Sequence, residues 1–496
     1  MPIPELTLAY HGWLYEQNKK RIAEQRKQHC YYIGNEDKIK KYLNKALEIT
    51  YATEDIEEMQ LNYVNLTKKV IDQMAVVYQD PADRYFSSLK ETEDGTNPNE
   101  EAEDELTDFY WDILPDKIGM IDKKAHRYAK LSNVSITLVL IDKEAKKIKY
   151  IVEPIYKFTP EFDDEDPMKV KRLTYPKYYK DKNGEDELFT IVWTDKEHYK
   201  MDALGNRVAI KDNKEMVNPY GELPIAVLNF ENGDGFYGEG QNDLINVNEQ
   251  LNVLITKLVT NDVIYGSEGT DLAINLGLER RGVVESGVRK VRRGRKHPLS
   301  VETKPGETIQ PSFQHITLDP NIQEIRDFID WYIKYIASLK GLNPSAVLAQ
   351  LKDTSDYQKI MDAVDQMEMR KDDLEFVRVY ERQRYEMTKL VWNTHAQELG
   401  VDELNDDGFE FKVDFAEIGI QETPADKQAK REFELKYNLS TPADWLIEDN
   451  PDLTKEQAEE QIKQNRMFNS TITRPAGRLE SLLNRPKETG MEIPNV

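Results

Sequence analysis

The sequence predicts an α+β protein, mainly helical, with a layer of antiparallel strands set between helical segments. Three observations point there. Two helical stretches with matched apolar seams bracket an insert, Ser267 to Pro320, rich in Gly, Pro and Arg. The seams are Leu244, Val247, Leu251, Leu254, Leu258 and Ile322, Ile325, Ile329, Tyr332, Ile336, Leu339. From Ala129 the hydrophobic period changes to two residues, the spacing of half-buried strands. Beyond the second seam, Tyr357 to Leu399 runs as one helical stretch without Pro or Gly.

Taken in order, the chain opens with helix candidates at Gly12 to Lys27, Glu36 to Ile49 and Leu61 to Tyr78. Residues 88–106 are acidic and aperiodic, which reads as a solvated loop or a disordered segment. Val134 to Ile141 and Ala145 to Pro154 read as a hairpin, followed by strands at Lys169 to Tyr179, Glu187 to Thr194 and His198 to Asp202. Asn183-Gly184 is a hairpin-turn signal between two of them, and short sequential strands favour an antiparallel meander. Leu223 to Phe230 is one more strand. Glu231 to Gly240 is a glycine-dense hinge, and Gln241 starts the first seam helix, which runs to about Tyr265. Inside the insert, Gly282 to Val288 and Ser300 to Thr303 read as strands.

Asp319-Pro320 supplies a cap and a first-turn proline for the second seam helix, and Gly341-Leu-Asn-Pro344 breaks it. The long helix from Tyr357 would span roughly 60 Å at 1.5 Å per residue, with a bend where Arg370 to Asp373 interrupt its stripe. Gly408 to Ile418 alternates like a strand. A polar helix from Thr423, a turn at Asn438 to Pro442, a short helix and a polar helix at Thr454 to Arg466 follow, then a Pro- and Gly-containing tail. A helix out, a compact insert and a helix back make a thin stalk with a tip. One copy cannot bury both sides of such a stalk, so neighbouring copies are expected to complete the packing.

Length and composition bound the function. At 496 residues the chain has room for roughly two to four domains. No apolar run approaches the ~20 residues of a membrane span, and the N-terminus lacks a signal-peptide pattern. Cys30 is the single cysteine, which rules out an internal disulfide and suits a reducing compartment. A net charge of −24 argues against a simple nucleic-acid coat, because phosphate binding needs a basic footprint. It does not exclude a surface past which DNA slides without sticking, and it keeps a large assembly soluble.

Enzyme signatures are missing. No P-loop and no G-x-S-x-G occurs. Gly235-Phe-Tyr-Gly-Glu-Gly240 matches neither phosphate-binding fingerprint and reads as a hinge. The seven histidines are scattered and no cysteine pair exists, so no zinc site is expected. Asp163 to Asp166 lacks calcium-loop spacing and reads as a solvated acidic turn. The expectation is a protein that is not an enzyme and carries no metal or cofactor.

Two segments stand out. Arg280, Arg281, Arg289, Lys290, Arg292, Arg293, Arg295 and Lys296 face only Glu279 and Glu285, so residues 279–296 carry +6 at the stalk tip. The choices are docking to an acidic partner, phosphate contact with passing DNA, or a solvated hairpin. Absent aromatic interleaving disfavours single-strand stacking. The other segment, Leu342 to Asp356, joins two helices through largely uncharged residues. It would project inward if subunits ring an axis and would otherwise be an ordinary interhelix loop.

The order of these elements resembles that of the portal proteins of tailed bacteriophages, the head–tail connectors. The resemblance is carried by Asn218-Pro-Tyr-Gly-Glu-Leu-Pro-Ile-Ala-Val-Leu-Asn-Phe230 with the hinge and Asp243 to Asn252, by Asn62 to Asp72, and by Lys436 to Glu460. It covers roughly residues 40–470. It implies an N-terminal helical extension (1–37) and a wing of helices and antiparallel strands (38–235, then 357–420). It further implies stem helices (236–266 and 321–340), a small α/β clip (267–320), a tunnel loop (341–356), a helical crown (421–470) and a flexible tail (471–496).

What the resemblance implies for function is a dodecameric ring at one capsid vertex of the virion, assembled in the host cytoplasm. Double-stranded DNA would pass through its channel during packaging and ejection without sequence specificity. The large terminase would dock on the clip, followed by head–tail adaptor proteins, while major capsid and scaffolding proteins meet the wing; no membrane is involved. Leu342, Asn343, Ser345, Gln350, Lys352 and Asp353 would then belong to the tunnel loop. The island from Arg280 to Lys296 would serve partner docking. Lys257, Lys334 and Lys340 face either the channel or the outer stem surface. The alternatives are another virion structural protein, such as a minor head or adaptor protein, or a nucleic-acid enzyme.

Overall fold

The computed structural model describes residues 7–49, 53–89, 100–180, 185–211, 213–230, 236–238, 240–260, 270–274, 299–301, 312–316, 322–342, 344, 356–416, 431, 435, 440–449 and 455–472. The chain divides into two compact units, Met1–Ile418 and Gly419–Val496. Helix and strand mix throughout the first.

The first unit opens with α1 (Leu8–Ile33), which ends at Gly34 in the left-handed conformation, and α2 (Glu36–Leu47), capped by the Asn35 side chain on the Lys38 amide. A short α3 (Thr53–Glu58) follows, then α4 (Leu66–Met74). The sequence predicts a helix from Leu61, but the helix begins only after Asn65, whose side chain caps α4 through the Lys68 amide. The backbone polar groups of Asn62 and Val64 go to another helix, as described below.

Next come β1 (Ala82–Ser88), α5 (Glu100–Ile113) and α6 (Ile118–Ser132), none of them anticipated in the sequence. The acidic stretch 88–106 is therefore corrected in its second half. Glu101 and Glu105 lie on the exposed face of α5, and Leu106, Phe109, Tyr110 and Ile113 turn inward at helical spacing. α5 also covers the outer edge of β1. Glu103 and Thr107 accept from the Ser88 and Phe86 amides, and Trp111 Nε1 donates to the Arg84 carbonyl at 3.0 Å.

Two antiparallel sheets make the centre. One holds β3 (Lys147–Glu153), β2 (Val134–Asp142) and β9 (Ile225–Asn229) in that order. The other is a meander of β4 (Thr159–Phe162), β5 (Val170–Lys180), β6 (Asp186–Thr194), β7 (His198–Met201) and β8 (Arg207–Val208). The meander agrees with the sequence reading; β4 is added to it, and β9 crosses back to pair with β2. The Asn183-Gly184 turn lies outside the described residues. β2 is buried on both faces. Ile136 and Leu138 face the meander's Leu173, Ile191 and Trp193, while Val139 joins Tyr110, Tyr385 and Trp392.

α7 (Asn242–Lys257) ends in a wider π-type turn over 258–260, and α8 (Ile322–Leu339) is closed by Gly341 at φ +65°. Between them, β11 (Leu299–Val301), β10 (Thr270–Ile274) and β12 (Ser312–Ile316) form a small sheet, with β10 parallel to β11 and antiparallel to β12. The predicted Gly282 to Val288 strand lies outside the described residues, and β10 and β12 were not predicted.

The long helix is α9 (Asp356–Leu399, 44 residues), followed by β13 (Phe409–Phe415), which pairs with β1. Arg370 and Asp373 do not interrupt its apolar face. They are buried, Arg370 on the Ala416 carbonyl and Asp373 against Lys130, so the charges are internal anchors. In the second unit, α10 (Pro442–Asp449) is capped by reciprocal bonds between Thr441 and Asp444, and packs with α11 (Lys455–Ile472). The Arg431 guanidinium lies 5.4 Å from the Trp445 ring centre.

Candidate functional site

The candidate site is the α7–α8 pair and its attachment to the helices and sheets. Asp243 at the start of α7 bonds Lys340 at the end of α8 (2.6 Å), and Gln250 bonds Tyr332 (2.8 Å), so the two helices run antiparallel. The seams meet in part: Leu254, Leu258, Ile322, Ile325 and Leu339 stay outside the shared core, and Ile322 and Leu339 are exposed. Leu244, Val247 and Leu251 pack with Ile336, Ala337 and Leu342, joined by Tyr32, Leu66, Val70, Ile71, Met74 and Leu131 from α1, α4 and α6. α7 is thus embedded among the N-terminal helices, a partner set the stalk picture did not include.

A second stripe on α7 is polar and buried. Asn248 Oδ1 accepts from the Thr67 amide (2.9 Å) and hydroxyl (2.8 Å), and its Nδ2 donates to the Val64 carbonyl (2.8 Å). One turn on, Asn252 Oδ1 accepts from the Val64 amide (2.8 Å). Another turn on, Thr256 Oγ1 accepts from the Asn62 amide (3.1 Å) and donates to its carbonyl (3.2 Å). Three side chains at four-residue intervals thereby satisfy backbone groups of Asn62, Val64 and Thr67, which is why the chain up to Asn65 can do without helical hydrogen bonds.

The entry to α7 is pinned as well. Gly240 sits at φ +63°, and a Cβ there would meet Gln28 Nε2 at 2.7 Å and the Leu131 carbonyl at 3.1 Å. The Gln241 amide donates to Leu131 O, and Gln28 donates to Asn242 (2.8 Å) while accepting from Ser132. Lys27 pairs with Glu249 at 2.9 Å, and Glu249 also accepts from Tyr31. Burial, then that carboxylate, push the Tyr31 hydroxyl well above its usual pKa.

α8 is covered on one side only. Phe328, Trp331, Tyr335 and Leu339 are 47, 55, 47 and 61% exposed and share one face. Their rings stack: Trp331 on Tyr335 with centres 5.6 Å apart, and Phe328 on Tyr332 at 5.9 Å. Four large apolar side chains in a row at helical spacing form a contiguous exposed stripe, unlike scattered surface residues.

The long helix is fixed by a buried charge cluster. Arg84 and Arg384 bridge Asp122 and Glu381, with Arg84 Nη2 at 2.6 Å from Asp122 and 2.9 Å from Glu381; all four are about 1% exposed or less. Burial would raise the Glu381 pKa, but Arg384 and Arg84 beside it, with the Tyr78 hydroxyl donating, hold it down at about 2. β1, α6 and α9 are joined by this neutral set of two cations and two anions.

The residues singled out in the sequence fall as follows. Leu342 is buried, 3% exposed, in the α7–α8 core. Lys340 turns back onto Asp243, Lys334 is exposed, and Lys257 is half-buried. Asn343, Ser345, Gln350, Lys352 and Asp353 lie outside the described residues, as do Arg280, Arg281, Arg289, Lys290, Arg292, Arg293, Arg295 and Lys296. Among the described residues no helix is long and apolar enough to cross a membrane, and no three His, Cys, Asp or Glu side chains gather as a metal site. A groove of about 200 Å3 between α9 and β13, lined by Arg378, Arg382 and Lys412, is smaller than the ~300–1,000 Å3 usual for small-molecule pockets.

The polar stripe is the element that sequence reasoning passed over. Its signal is present, since Asn248, Asn252 and Thr256 recur every four residues on a helix whose seam lies elsewhere.

No family model matches this chain, and no curated protein matches it. Solved structures do. The chain is similar to one in the neck of an empty GTA particle, at 10% identity and a TM-score of 0.38, over 77% of this chain and 89% of that one. It is similar to one in the virion of a native gene transfer agent particle, at 10% identity and a TM-score of 0.33 over the same shares. A third is an HK97 family phage portal protein from Corynebacterium diphtheriae, at 9% identity and a TM-score of 0.32, over 72% of this chain and 96% of that one.

Proposed function

We propose that this chain is the subunit of a phage portal, a closed dodecameric ring at one capsid vertex through which double-stranded DNA enters and leaves. The observation that carries this reading is the exposed aromatic stripe of α8, which flanks the face packed on α7. About half of each of Phe328, Trp331, Tyr335 and Leu339 remains accessible. Covering them against a second copy would contribute about 1 kcal/mol each, half of the full-burial value. Where such a stripe meets a different surface of the next copy the contact is head-to-tail, and a head-to-tail contact that closes is a ring.

In this reading α7 and α8 line the stem, and the net charge of −24 suits a wall that must release phosphate at each step. Asn343 to Asp356 is the tunnel loop, anchored at its start by Leu342 in the α7–α8 core. Residues 279–296, with net charge +6, form the clip surface that meets the large terminase and then the head–tail adaptors. Major capsid and scaffolding proteins contact the wing. The protein performs no catalysis, and the energy for DNA movement comes from the terminase.

The test is the double variant Trp331→Glu with Tyr335→Glu, measured by native mass spectrometry beside circular dichroism. The expected result is single chains with unchanged helix content. An assembly of unchanged mass would overturn the assignment of this stripe.

A further inference from the structure

β1 and β13 form a two-stranded sheet whose outer edges differ. On β1 the Phe86 and Ser88 amides and the Arg84 carbonyl turn away from β13 and are bonded by α5. Phe86, Ser88 and Arg84 stand opposite Phe411, Phe409 and Val413. Opposite residues of an antiparallel ladder either bond each other or both turn outward. The amides and carbonyls of Phe411 and Val413 therefore point off the far edge of β13. Among the described residues none of these four groups has a hydrogen-bond partner, and a strand edge left this way invites pairing.

That edge borders the groove of about 200 Å3 against α9. β13 and α9 run side by side in opposite senses, since Phe411 stacks on Tyr385 (ring centres 4.3 Å apart) and Arg370 holds the Ala416 carbonyl. α9 lies under the face of the sheet that carries Phe411 and Val413, while Glu410, Lys412 and Asp414 alternate onto the exposed face. Arg378 and Arg382 of α9 line the groove. Arg382 is exposed and makes no ion pair among the described residues, and Arg378 has only Glu375 at 3.8 Å, itself largely exposed.

We propose that the open edge of β13 docks an extended acidic segment of a partner protein, added as a third strand antiparallel to β13. Strand addition to an exposed edge is an established mode of peptide recognition. Residues of the added strand that bond Phe411 and Val413 share their face, so their side chains turn toward α9. There they meet Arg378 and Arg382, which stand about 6 Å apart along the α9 axis. Every second side chain of a strand recurs at about 6.6 Å, so carboxylates at alternate positions reach each guanidinium in turn.

A second copy of β13 fits less well. It would set Phe409, Phe411 and Val413 over the two arginines and cover both cations without a counter-charge. The phosphate backbone of DNA would meet the arginines but has no donor for the Phe411 and Val413 carbonyls. The inference rests on one sheet edge of a single chain and stands whether or not the ring reading holds.

Fluorescence anisotropy on the full-length protein tests it, with a labelled, end-blocked peptide of alternating threonine and glutamate as the probe. Saturable binding is expected. The double variant Arg378→Glu with Arg382→Glu, both at exposed positions, should bind at least about tenfold more weakly with unchanged circular dichroism. Changes to the probe read the edge without touching the protein. N-methyl groups on the glutamate amides, which face β13, should abolish binding, whereas N-methyl groups on the threonine amides should leave it within about twofold. No saturable binding, equal affinity for the two methylated peptides or the reverse order, or a double variant that binds like the parent would each overturn the proposal. A duplex oligonucleotide that binds more tightly than the peptide through the same arginines would overturn it too.

Discussion

Replacing Glu381 with Gln removes one anion from the buried set of Arg84, Arg384, Asp122 and Glu381. Two guanidinium groups are then left sharing one carboxylate away from water. Breaking a buried pair in this way costs about 3–5 kcal/mol. A second route gives a similar figure. The Glu381 pKa falls from 4.5 to about 2 on folding, which is worth about 3 kcal/mol at 1.36 kcal/mol per unit. The sign follows from the direction of the shift. A carboxyl whose folded pKa is depressed stabilises fully above its unfolded pKa, and that stabilisation fades as pH falls from about 4.5 toward 2. Glu381→Gln should therefore lose about 3 kcal/mol at pH 7, with the gap to the parent narrowing below about pH 4.5. Urea unfolding followed by tryptophan emission suits the measurement, since Trp111 donates to the carbonyl of Arg84 itself. A penalty below about 1 kcal/mol, or one equal at pH 3 and pH 7, would refute the reasoning.

Asn248→Ala strands the buried Thr67 amide and should cost about 2–3 kcal/mol, whereas Asn246→Ala on the exposed side of α7 should cost under about 0.5 kcal/mol; equal effects in urea unfolding would count against that bonding role of Asn248. Reversing Arg289, Arg292, Arg293 and Arg295 to Glu should weaken terminase or adaptor binding at least tenfold while the assembly keeps its mass, as read by pull-down beside native mass spectrometry (1.4 kcal/mol per tenfold). Shortening Ser345 to Thr354 should impair DNA packaging in a defined packaging reaction and leave assembly intact; loss of assembly would make that loop structural.

Parts of this architecture are plain in the residues. The two seams flag α7 and α8, alternation gives the meander, and the absence of Gly and Pro over 357–399 gives the long helix. Those signals are local. What escaped was set by distant partners. Residues 62–65 look helical by composition, and the side chains of Asn248, Asn252 and Thr256, over 180 residues away, take the backbone bonds that a helix would have made. Arg370 and Asp373 look like surface charges on a helix, and are buried because Ala416 and Lys130 come to meet them. α5 was hidden by its own glutamates, since a window ending at Leu106 left out Phe109, Tyr110 and Ile113. The exposed stripe of α8 follows from the idea of an unfinished stalk, but which seam residues turn outward required the packing on α7 to be known.

The central claim is that the open face of α8 is covered by a second copy in a closed, hollow ring. Electron cryomicroscopy of the native assembly tests it most directly. The account predicts a ring of identical subunits around an open axis wide enough for a duplex, with Trp331 and Tyr335 of each subunit against its neighbour. A single-copy particle, or a ring in which those two side chains face solvent, would contradict it.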